Sequence, residues 1–373
     1  MKPKILFILH LPPPVHGAAM MGKYIKDSKI VNNSFVCHYI NLAIASSLED
    51  IGRLSIRKVL AFWRLLHLIR HKVKMFRPDL VYITPNACGG AFYKEFVIVE
   101  MLKRMGCKVV AHYHNKGVST RQDHWFDNLL YRRFFRGLRV ILLAECLYAD
   151  LSGYVDRHKV YVCPNGIPDR LHGYLPMEKH HAVPHILFLS NLIVSKGVLV
   201  LLDALKILKE RGCTFVCDYV GGETAEIDAR RFDREVAKRG LDKQAIYHGR
   251  QYGEEKERFF QDADLLAFPT FYPNECFPLV LLEAMQHGLP CISTYEGGIA
   301  DIVDDGVTGF IVQIQQAEPL ADRIQQLLTN PTIRQQMGIA GHRKFQQEFT
   351  LDVLEKRFLR IIYKCLEKNV ATF

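Results

Sequence analysis

The chain lacks any long apolar run. No stretch of about 18 uncharged apolar residues occurs, because the most apolar segment near the start, MKPKILFILHLPPP, is broken by His10 and by three prolines. Neither a membrane span nor a signal peptide is therefore predicted, and we expect the protein to stay in the cytoplasm.

Paired cysteines and a dinucleotide fingerprint are also missing. The ten cysteines include no CxxC pair, which favours reduced, buried thiols over a disulfide framework or a zinc site. No GxGxxG follows the first apolar run, which argues against an NAD-linked oxidoreductase. No motif of the kinds that recognise nucleic acid is present, so nucleic acid is not expected as a partner.

Acidic residues are scarce in the first half of the chain. Residues 1–170 carry 26 Lys or Arg against 12 Asp or Glu, a net charge of +14, whereas residues 171–373 carry −4. Residues 53–77 hold eight Lys or Arg and no acid, with Trp63 and aliphatic residues at roughly helical spacing. This segment is interpreted either as a basic amphipathic helix near an anionic membrane, or as a surface helix whose apolar stripe packs on its own sheet.

Short apolar runs alternate with helical patterns along the chain, which is typical of parallel sheets covered by helices. The length of 373 residues exceeds one ordinary core. We predict an α/β fold of two Rossmann-like, doubly wound domains facing across a cleft: residues 1–168, a linker at 169–184, residues 185–350, and a C-terminal helix in 351–373. The predicted strands are 4–10, 35–42, 80–84, 107–114, 139–144, 159–164, 185–190, 214–220, 245–249, 264–269 and 289–294.

Two glutamates bracket an apolar run in NECFPLVLLE, residues 274–283. Pro278 and Gly288 predict a helix of about ten residues, so Glu275 would lie in the loop before the helix and Glu283 within it. Eight residues at about 100° each bring Glu283 within roughly 80° of the direction of Glu275. The helix N-terminus between them suits a phosphate or diphosphate, and the carboxylates suit hydroxyl groups on either side. A sugar–diphosphate–ribose has this layout.

The surrounding segment, PTFYPNECFPLVLLEAMQHGLPCISTYEGGIADIVDDGVTGFIV (269–312), resembles the carboxylate–x7–carboxylate region of retaining GT-B glycosyltransferases of family 4. The similarity extends through PPPVHGAA, VVAHYHNKG, VCPNGIP, FLSNLIVSKGV and VGGET, over most of the chain. The resemblance implies a GT-B fold and transfer of a sugar from a nucleotide-sugar donor, a UDP-sugar or GDP-sugar, to an acceptor hydroxyl. It also implies retention of configuration, and neither a metal nor another cofactor.

By the same resemblance, Glu275, Lys196 and His114 are the catalytic residues. Glu275 is expected beside the donor sugar, although a plain charge at a helix N-terminus is the alternative and both can hold. Lys196, in SKG, would stabilise the negative charge of the departing diphosphate. His114 would approach the donor sugar, with His112 two residues earlier as the rival. A buried core histidine is the alternative reading, above all for His112.

The resemblance also implies a set of donor-binding residues in the second half of the chain. Glu283 would accept hydrogen bonds from the ribose diol, because a carboxylate is a double acceptor. The N–H groups of Cys276 and Phe277 would face the donor hydroxyls or phosphate. Gly297 and Gly298 would let further N–H groups converge on the phosphates, although a turn requirement alone explains the glycine pair.

Four further residues complete the expected site. Asn191 stands where relatives carry an arginine, so Arg250 is a candidate for the second cation, or else a solvated loop residue. Gly17 would allow a close backbone approach to the donor, although a simple turn explains this glycine too. His16, beside Gly17, is assigned with His112 to the acceptor side.

The basic first half predicts an acceptor that is anionic or held at a membrane, such as a glycan or lipid-linked acceptor in surface polysaccharide assembly. Peripheral contact with an anionic membrane, on the inner face of the cell membrane, follows from that interpretation. The alternatives are a related GT-B enzyme, namely a sugar-nucleotide epimerase or a glycogen-type synthase, and a non-catalytic protein that binds sugar or nucleic acid. Binding without turnover would leave Glu275 and Lys196 unexplained.

Overall fold

The structure is a computed structural model that describes residues 2–13, 15–42, 56–173 and 182–367, and of residues 56–58 the backbone alone. It divides into two compact units, Met1–Asn165 with Leu351–Phe373 and Gly166–Thr350. Parts of three segments interpreted above, namely 53–55, 174–181 and 368–373, lie outside the described residues. The beginning of the segment 169–184 packs on the second unit, since the backbone N–H of Arg170 donates to Gln286 Oε1 at 3.2 Å.

The first unit contains a six-stranded parallel sheet with the order β2-β1-β3-β4-β5-β6. Its inner strands are buried almost throughout, as expected where helices cover both faces of a sheet. The strands are β1 Lys4–Leu9, β2 Val36–Asn41, β3 Leu80–Ile83, β4 Val109–His112, β5 Arg139–Leu142 and β6 Val160–Val162. The helices between them are α1 Gly17–Asp27, α2 Lys29–Ser34, α3 Ile56–Phe76, α4 Gly89–Arg104 and α5 Trp125–Phe135.

The second unit contains another six-stranded parallel sheet, with the order β12-β11-β10-β7-β8-β9. The strands are β7 His185–Leu189, β8 Val216–Val220, β9 Ala245–Tyr247, β10 Leu265–Ala267, β11 Cys291–Thr294 and β12 Gly309–Val312. The helices are α6 Val198–Glu210, α7 Ala229–Lys238, α8 Gly253–Asp262, α9 Leu279–Gln286, α10 Ile299–Ile302, α11 Ala317–Thr329 and α12 Pro331–Lys344.

The last helix, α13 Leu351–Leu366, belongs to the first unit. Its buried side chains recur at helical spacing, and the Phe358 ring lies 5.3 Å from that of Tyr82 and 6.4 Å from that of Phe7. The backbone carbonyl of Lys364 accepts from Arg139 Nη1 at 2.6 Å. The amphipathic pattern of α13 therefore reflects packing against the first sheet. None of the described helices has the length and apolar character needed to cross a membrane.

In each sheet the strand order reverses at one point. The loops that follow the two strands flanking this point diverge, and doubly wound folds bind their ligands in the crevice between these loops. In the second unit the order reverses between β7 and β10, which is the arrangement of a Rossmann sheet. In the first unit it reverses between β1 and β3. The prediction of two Rossmann-like α/β sheets is confirmed. Ligand-binding residues are expected in the loops that follow β1, β3, β7 and β10.

Three local expectations need correction. GFIV at 309–312 is a strand that was not predicted, pairing with β11 along its whole length. The strand predicted at 107–114 ends at His112, because its neighbour β5 pairs no further than Ile141 opposite His112. The helix predicted between Pro278 and Gly288 is the eight-residue α9, with Pro278 as its N-cap.

Candidate functional site

Lys196 and Glu275 form an ion pair at the point where the strand order of the second sheet reverses. Lys196 ends a 3₁₀ turn after β7, and Glu275 lies in the loop after β10. The two loops are joined by a hydrogen bond of 2.7 Å from Phe271 N to Ser195 O. Lys196 Nζ lies 2.5 Å from Glu275 Oε2, and the two side chains are only 16% and 10% exposed.

The environment of the pair strengthens its electrostatics. Lys196 Nζ lies 4.4 Å from the centroid of the Tyr272 ring and 5.6 Å from that of Phe268, so aromatic faces line the cation. Little water reaches either charge, and charge interactions are stronger where water is excluded. A ligand that offers both a phosphate and hydroxyl groups can satisfy the two partners separately, with the phosphate on the ammonium and the hydroxyls on the carboxylate.

The predicted glycine pair supports this loop directly. Gly297 has φ +58°, and a Cβ at this position would lie 2.3 Å from the backbone oxygen of Glu275. Gly298 N donates to Cys276 O at 2.6 Å. Glycine is therefore required at position 297 by the close packing of two loops, whereas the Gly298 N–H is already bonded within the protein. A contact between these N–H groups and phosphate stays a prediction. Cys276 and Phe277 are both buried.

Glu283 has a cationic partner that the sequence did not indicate. It lies on α9, and both of its carboxylate oxygens accept from Lys256 Nζ of α8, at 2.6 and 2.8 Å. Both side chains are about one quarter exposed. Lys256 is thus a further candidate site residue, placed to hold the carboxylate in one orientation.

Asn191 lies in the loop after β7, and Arg250 lies in the loop after β9 of the same sheet. The Asn191 side-chain oxygen accepts from Gly222 N at 3.1 Å, which joins the loop after β7 to the loop after β8. Arg250 lies against the open face of Gly222, where an added Cβ would be 2.3 Å from Arg250 Nη2. Arg250 and Asn191 therefore both lie against Gly222, at the same end of the second sheet. The action of Arg250 as the second cation remains a prediction.

His114 is a polar side chain of the first unit whose buried ring nitrogens both lack hydrogen bonds among the described residues. It lies two residues beyond the end of β4. Burial, with smaller effects of His10 and His16, lowers the pKa of His114 to about 3, so the imidazole is neutral at physiological pH. A neutral ring with both nitrogens available can donate one hydrogen bond to a hydroxyl and accept another.

Two polar residues of the first unit, Glu95 and His10, were missed by the sequence interpretation. Glu95 of α4 accepts from the backbone and the side-chain amide of Asn86, at 2.5 and 2.9 Å. Glu95 Oε1 lies 3.8 Å from His10 Nε2, at the end of β1. Burial raises the pKa of Glu95 to about 7 and, with His16 and Lys94, lowers that of His10 to about 4. This polar cluster lies where the order of the first sheet reverses.

The remaining first-unit candidates are His16, Gly17 and His112. His16 is the N-cap of α1, and its Nδ1 accepts from Ala19 N at 3.3 Å. Gly17 is the first residue of α1, and no atom lies within 4 Å of an added Cβ. His112 is 2% exposed, and its Nδ1 lies 2.6 Å from the Tyr82 hydroxyl. His112 thus lies in the core, as in the alternative of a buried core histidine, and its assignment to the acceptor side stays a prediction. No group of three or more His, Cys, Asp or Glu among the described residues could hold a metal ion.

Comparison with known proteins finds similarity to glycosyltransferases. Residues 178–344 match the family model described as glycosyl transferases group 1. The amylovoran biosynthesis glycosyltransferase AmsK of Erwinia amylovora is 24% identical over 298 residues, which are 78% of this chain and 71% of that protein. The O-antigen chain mannosyltransferase C of Escherichia coli is 25% identical over 300 residues, 74% of this chain and 76% of that protein.

Solved structures show the same fold. A glycosyltransferase from Rickettsia africae superposes with a TM-score of 0.77 at 18% identity, covering 99% of this chain and 100% of that one. The Anabaena protein HepE in complex with UDP-glucose gives a TM-score of 0.71 at 17% identity, with 97% and 99% of the two chains covered. The second of these carries a nucleotide-sugar.

Proposed function

We propose that the chain is a glycosyltransferase, and that it is a retaining, metal-independent enzyme that uses a nucleotide-sugar. The match of residues 178–344 to the family model of group 1 glycosyl transferases and the two Rossmann-like sheets shared with solved glycosyltransferases support this proposal. The observation that carries the proposal is the Lys196–Glu275 pair at the reversal point of the second sheet, followed along the chain by Glu283 on α9. The UDP-glucose complex of HepE supports a UDP-sugar as the first donor to test.

In the proposed donor complex, the diphosphate takes Lys196 away from Glu275, and the sugar hydroxyls donate to the released carboxylate. Glu283, oriented by Lys256, accepts from the two ribose hydroxyls. Lys196 is then placed to stabilise the negative charge that grows on the diphosphate as it leaves, an electrostatic role that needs no metal. Arg250, beside Asn191 and Gly222, adds a second positive charge. His114 hydrogen-bonds a sugar hydroxyl through its unpaired ring nitrogens.

The reaction exchanges one bond for another at the anomeric carbon. The bond from C1 to the phosphate oxygen breaks and the bond from C1 to the acceptor oxygen forms on the same face of the sugar. The acceptor proton goes to the leaving phosphate oxygen, so the products are the glycosylated acceptor and the nucleoside diphosphate. Glu275 acts by orienting hydroxyl groups and stabilising positive charge, and forms no covalent bond to the sugar.

We further propose that the acceptor is a glycan or lipid-linked glycan in surface polysaccharide assembly, and that the enzyme works in the cytoplasm at the inner face of the cell membrane. The names of the amylovoran and O-antigen relatives support the acceptor class. The net charge of +14 in residues 1–170 supports an anionic or membrane-held acceptor.

Transfer assays test the proposal directly. The purified protein, treated with EDTA, is incubated with labelled UDP-sugars and GDP-sugars and with lipid extracts containing lipid-diphosphate-linked glycans. We expect release of nucleoside diphosphate, a labelled lipid product, and by NMR the same anomeric configuration as in the donor. Inverted product would reject retention, and full dependence on added Mg²⁺ or Mn²⁺ would reject the metal-free mechanism.

A further inference from the structure

Helix α3 remains apolar on the side that faces solvent. Its buried side chains, Leu66, Ile69, Val73 and Phe76, already form the stripe that packs against the first unit. Yet Trp63 is 64% exposed, and further large apolar side chains share its exposed side, among them Leu60, Leu68 and Met75. Packing within the first unit therefore does not account for the apolar residues on this side of α3.

A second exposed apolar group lies on α5. Trp125 is 78% exposed, and Phe126 and Leu129 are also exposed. A groove of about 640 Å³ connects this group to α3, with Arg70 of α3, Val97 of α4 and Leu129 of α5 among its lining residues. We call the exposed sides of α3, α4 and α5 the three-helix face.

The exposed charge of the three-helix face is predominantly positive. The three helices carry eleven Lys or Arg and three acidic residues. Glu95 is buried, and Glu100 is paired with Lys103 and Arg133 at 2.9 and 2.7 Å. The third, Asp127, is buried against Arg121 at 2.8 Å. The acids are thus removed from the surface or neutralised, and the exposed apolar residues stand among uncompensated cations.

We propose that the three-helix face docks on an anionic lipid bilayer. Exposed tryptophan, leucine and methionine side chains insert at the head-group boundary, while arginines and lysines bind lipid phosphates, the pattern of an interfacial helix. The charge complementarity favours a lipid surface over a neutral protein partner. The apolar insertion, which nucleic acid would not need, favours it over a polyanion. The inference extends the lipid-linked acceptor of the proposed function and names the surface that brings the enzyme to it.

The two tryptophans provide a built-in reporter. Trp63 and Trp125 are the only tryptophans in the chain, and both lie on the three-helix face, so selectively excited tryptophan fluorescence reports on this surface. The full-length protein is titrated, without donor, with vesicles of phosphatidylcholine containing phosphatidylglycerol, and with vesicles of phosphatidylcholine alone. We expect a blue shift and protection from iodide quenching with the anionic vesicles only. The variants Trp63→Phe and Trp125→Phe should each retain part of the shift, which shows that both helices touch lipid.

A charge reversal with a matched control completes the test. The double variant Arg70→Glu with Lys74→Glu should weaken partitioning at least about 25-fold, since each basic residue near the surface contributes about fivefold. The control, Arg234→Glu with Lys238→Glu, makes the same charge change at the same spacing on exposed positions of α7. It should bind like the wild type. Circular dichroism confirms that both variants fold.

Several outcomes would overturn the proposal. These are an unchanged emission with anionic vesicles, equal loss in the two charge variants, or a shift produced by duplex DNA or by raising the protein concentration but not by vesicles. The donor-free design separates this proposal from the previous one. Vesicle binding without transfer would reject the proposed reaction alone, and transfer to a lipid acceptor without vesicle binding would reject the docking surface alone.

Discussion

The Lys196–Glu275 pair makes a measurable prediction in the ligand-free protein. Lys196→Met removes the cation at nearly constant length, Glu275→Gln removes the anion, and the double variant removes both. Breaking a buried pair costs about 3–5 kcal/mol because one charge is left without a partner. The side chains are 16% and 10% exposed, so some solvent reaches them, and we expect about 2 kcal/mol for each single variant.

The double variant should be more stable than the sum of the single losses predicts, by about 1–2 kcal/mol, since neither charge is then left unpaired. For a unit of this size, 2 kcal/mol corresponds to about 4–8 °C in melting temperature. Thermal and urea unfolding, followed by circular dichroism, measure the four proteins. Lys206→Met, which breaks the exposed pair of Lys206 with Glu210, is the control and should cost less than about 0.5 kcal/mol. Strictly additive losses would refute the pairing, and with it the idea that the donor must separate two bonded partners.

Three further predictions test other parts of the structure. Because the pKa of Glu95 is raised to about 7, the folded state binds this proton more tightly than the unfolded chain. The stability of the wild type should therefore fall, relative to Glu95→Gln, as the pH rises from about 4.5 to about 7, by up to about 3 kcal/mol. Parallel pH–stability curves would contradict this. Gly297→Ala should destabilise the protein by more than about 2 kcal/mol, because Gly297 has a positive φ and an added Cβ would lie 2.3 Å from a backbone oxygen. Gly17→Ala, with open space around it, is the control and should change stability by under about 0.5 kcal/mol. Urea unfolding measures both variants. Lys256→Ala should raise KM for the donor with little change in kcat, and Lys256→Arg should restore it. A drop in kcat alone would assign Lys256 to the chemistry.

The fold was readable from the sequence because parallel strands are buried on both faces and appear as short apolar runs. KILFIL and LVYI are of this kind, and both lie in the first sheet. GFIV was missed because it begins with a glycine, which weakens strands in general. Gly309 is there for close packing, since an added Cβ would lie 2.0 Å from Cys291 O.

The site was only partly readable. Glu275 and Glu283 are linked by one loop and one helix, so local spacing places them. Lys256 comes from a different helix, 27 residues earlier in the chain, and only the packing of α8 beside α9 brings it to Glu283. No local pattern marks it.

The polar cluster of the first unit was missed for the same reason. His10 and Glu95 are 85 residues apart in the numbering, and they approach each other because β1 and β3 are neighbours in the sheet. Contacts of this kind depend on strand order, which apolar periodicity does not encode.

Direct measurement of donor binding tests the central claim. The protein in EDTA is titrated calorimetrically with UDP-, GDP-, ADP- and dTDP-sugars, and any binding is repeated with Glu283→Ala and with the exposed control Glu210→Ala. The account predicts binding of one nucleotide family without metal, weakened about 10- to 100-fold in Glu283→Ala through loss of hydrogen bonds to a charged group, and unchanged in the control. Absence of binding for every donor, or equal affinity of wild type and Glu283→Ala, would contradict it.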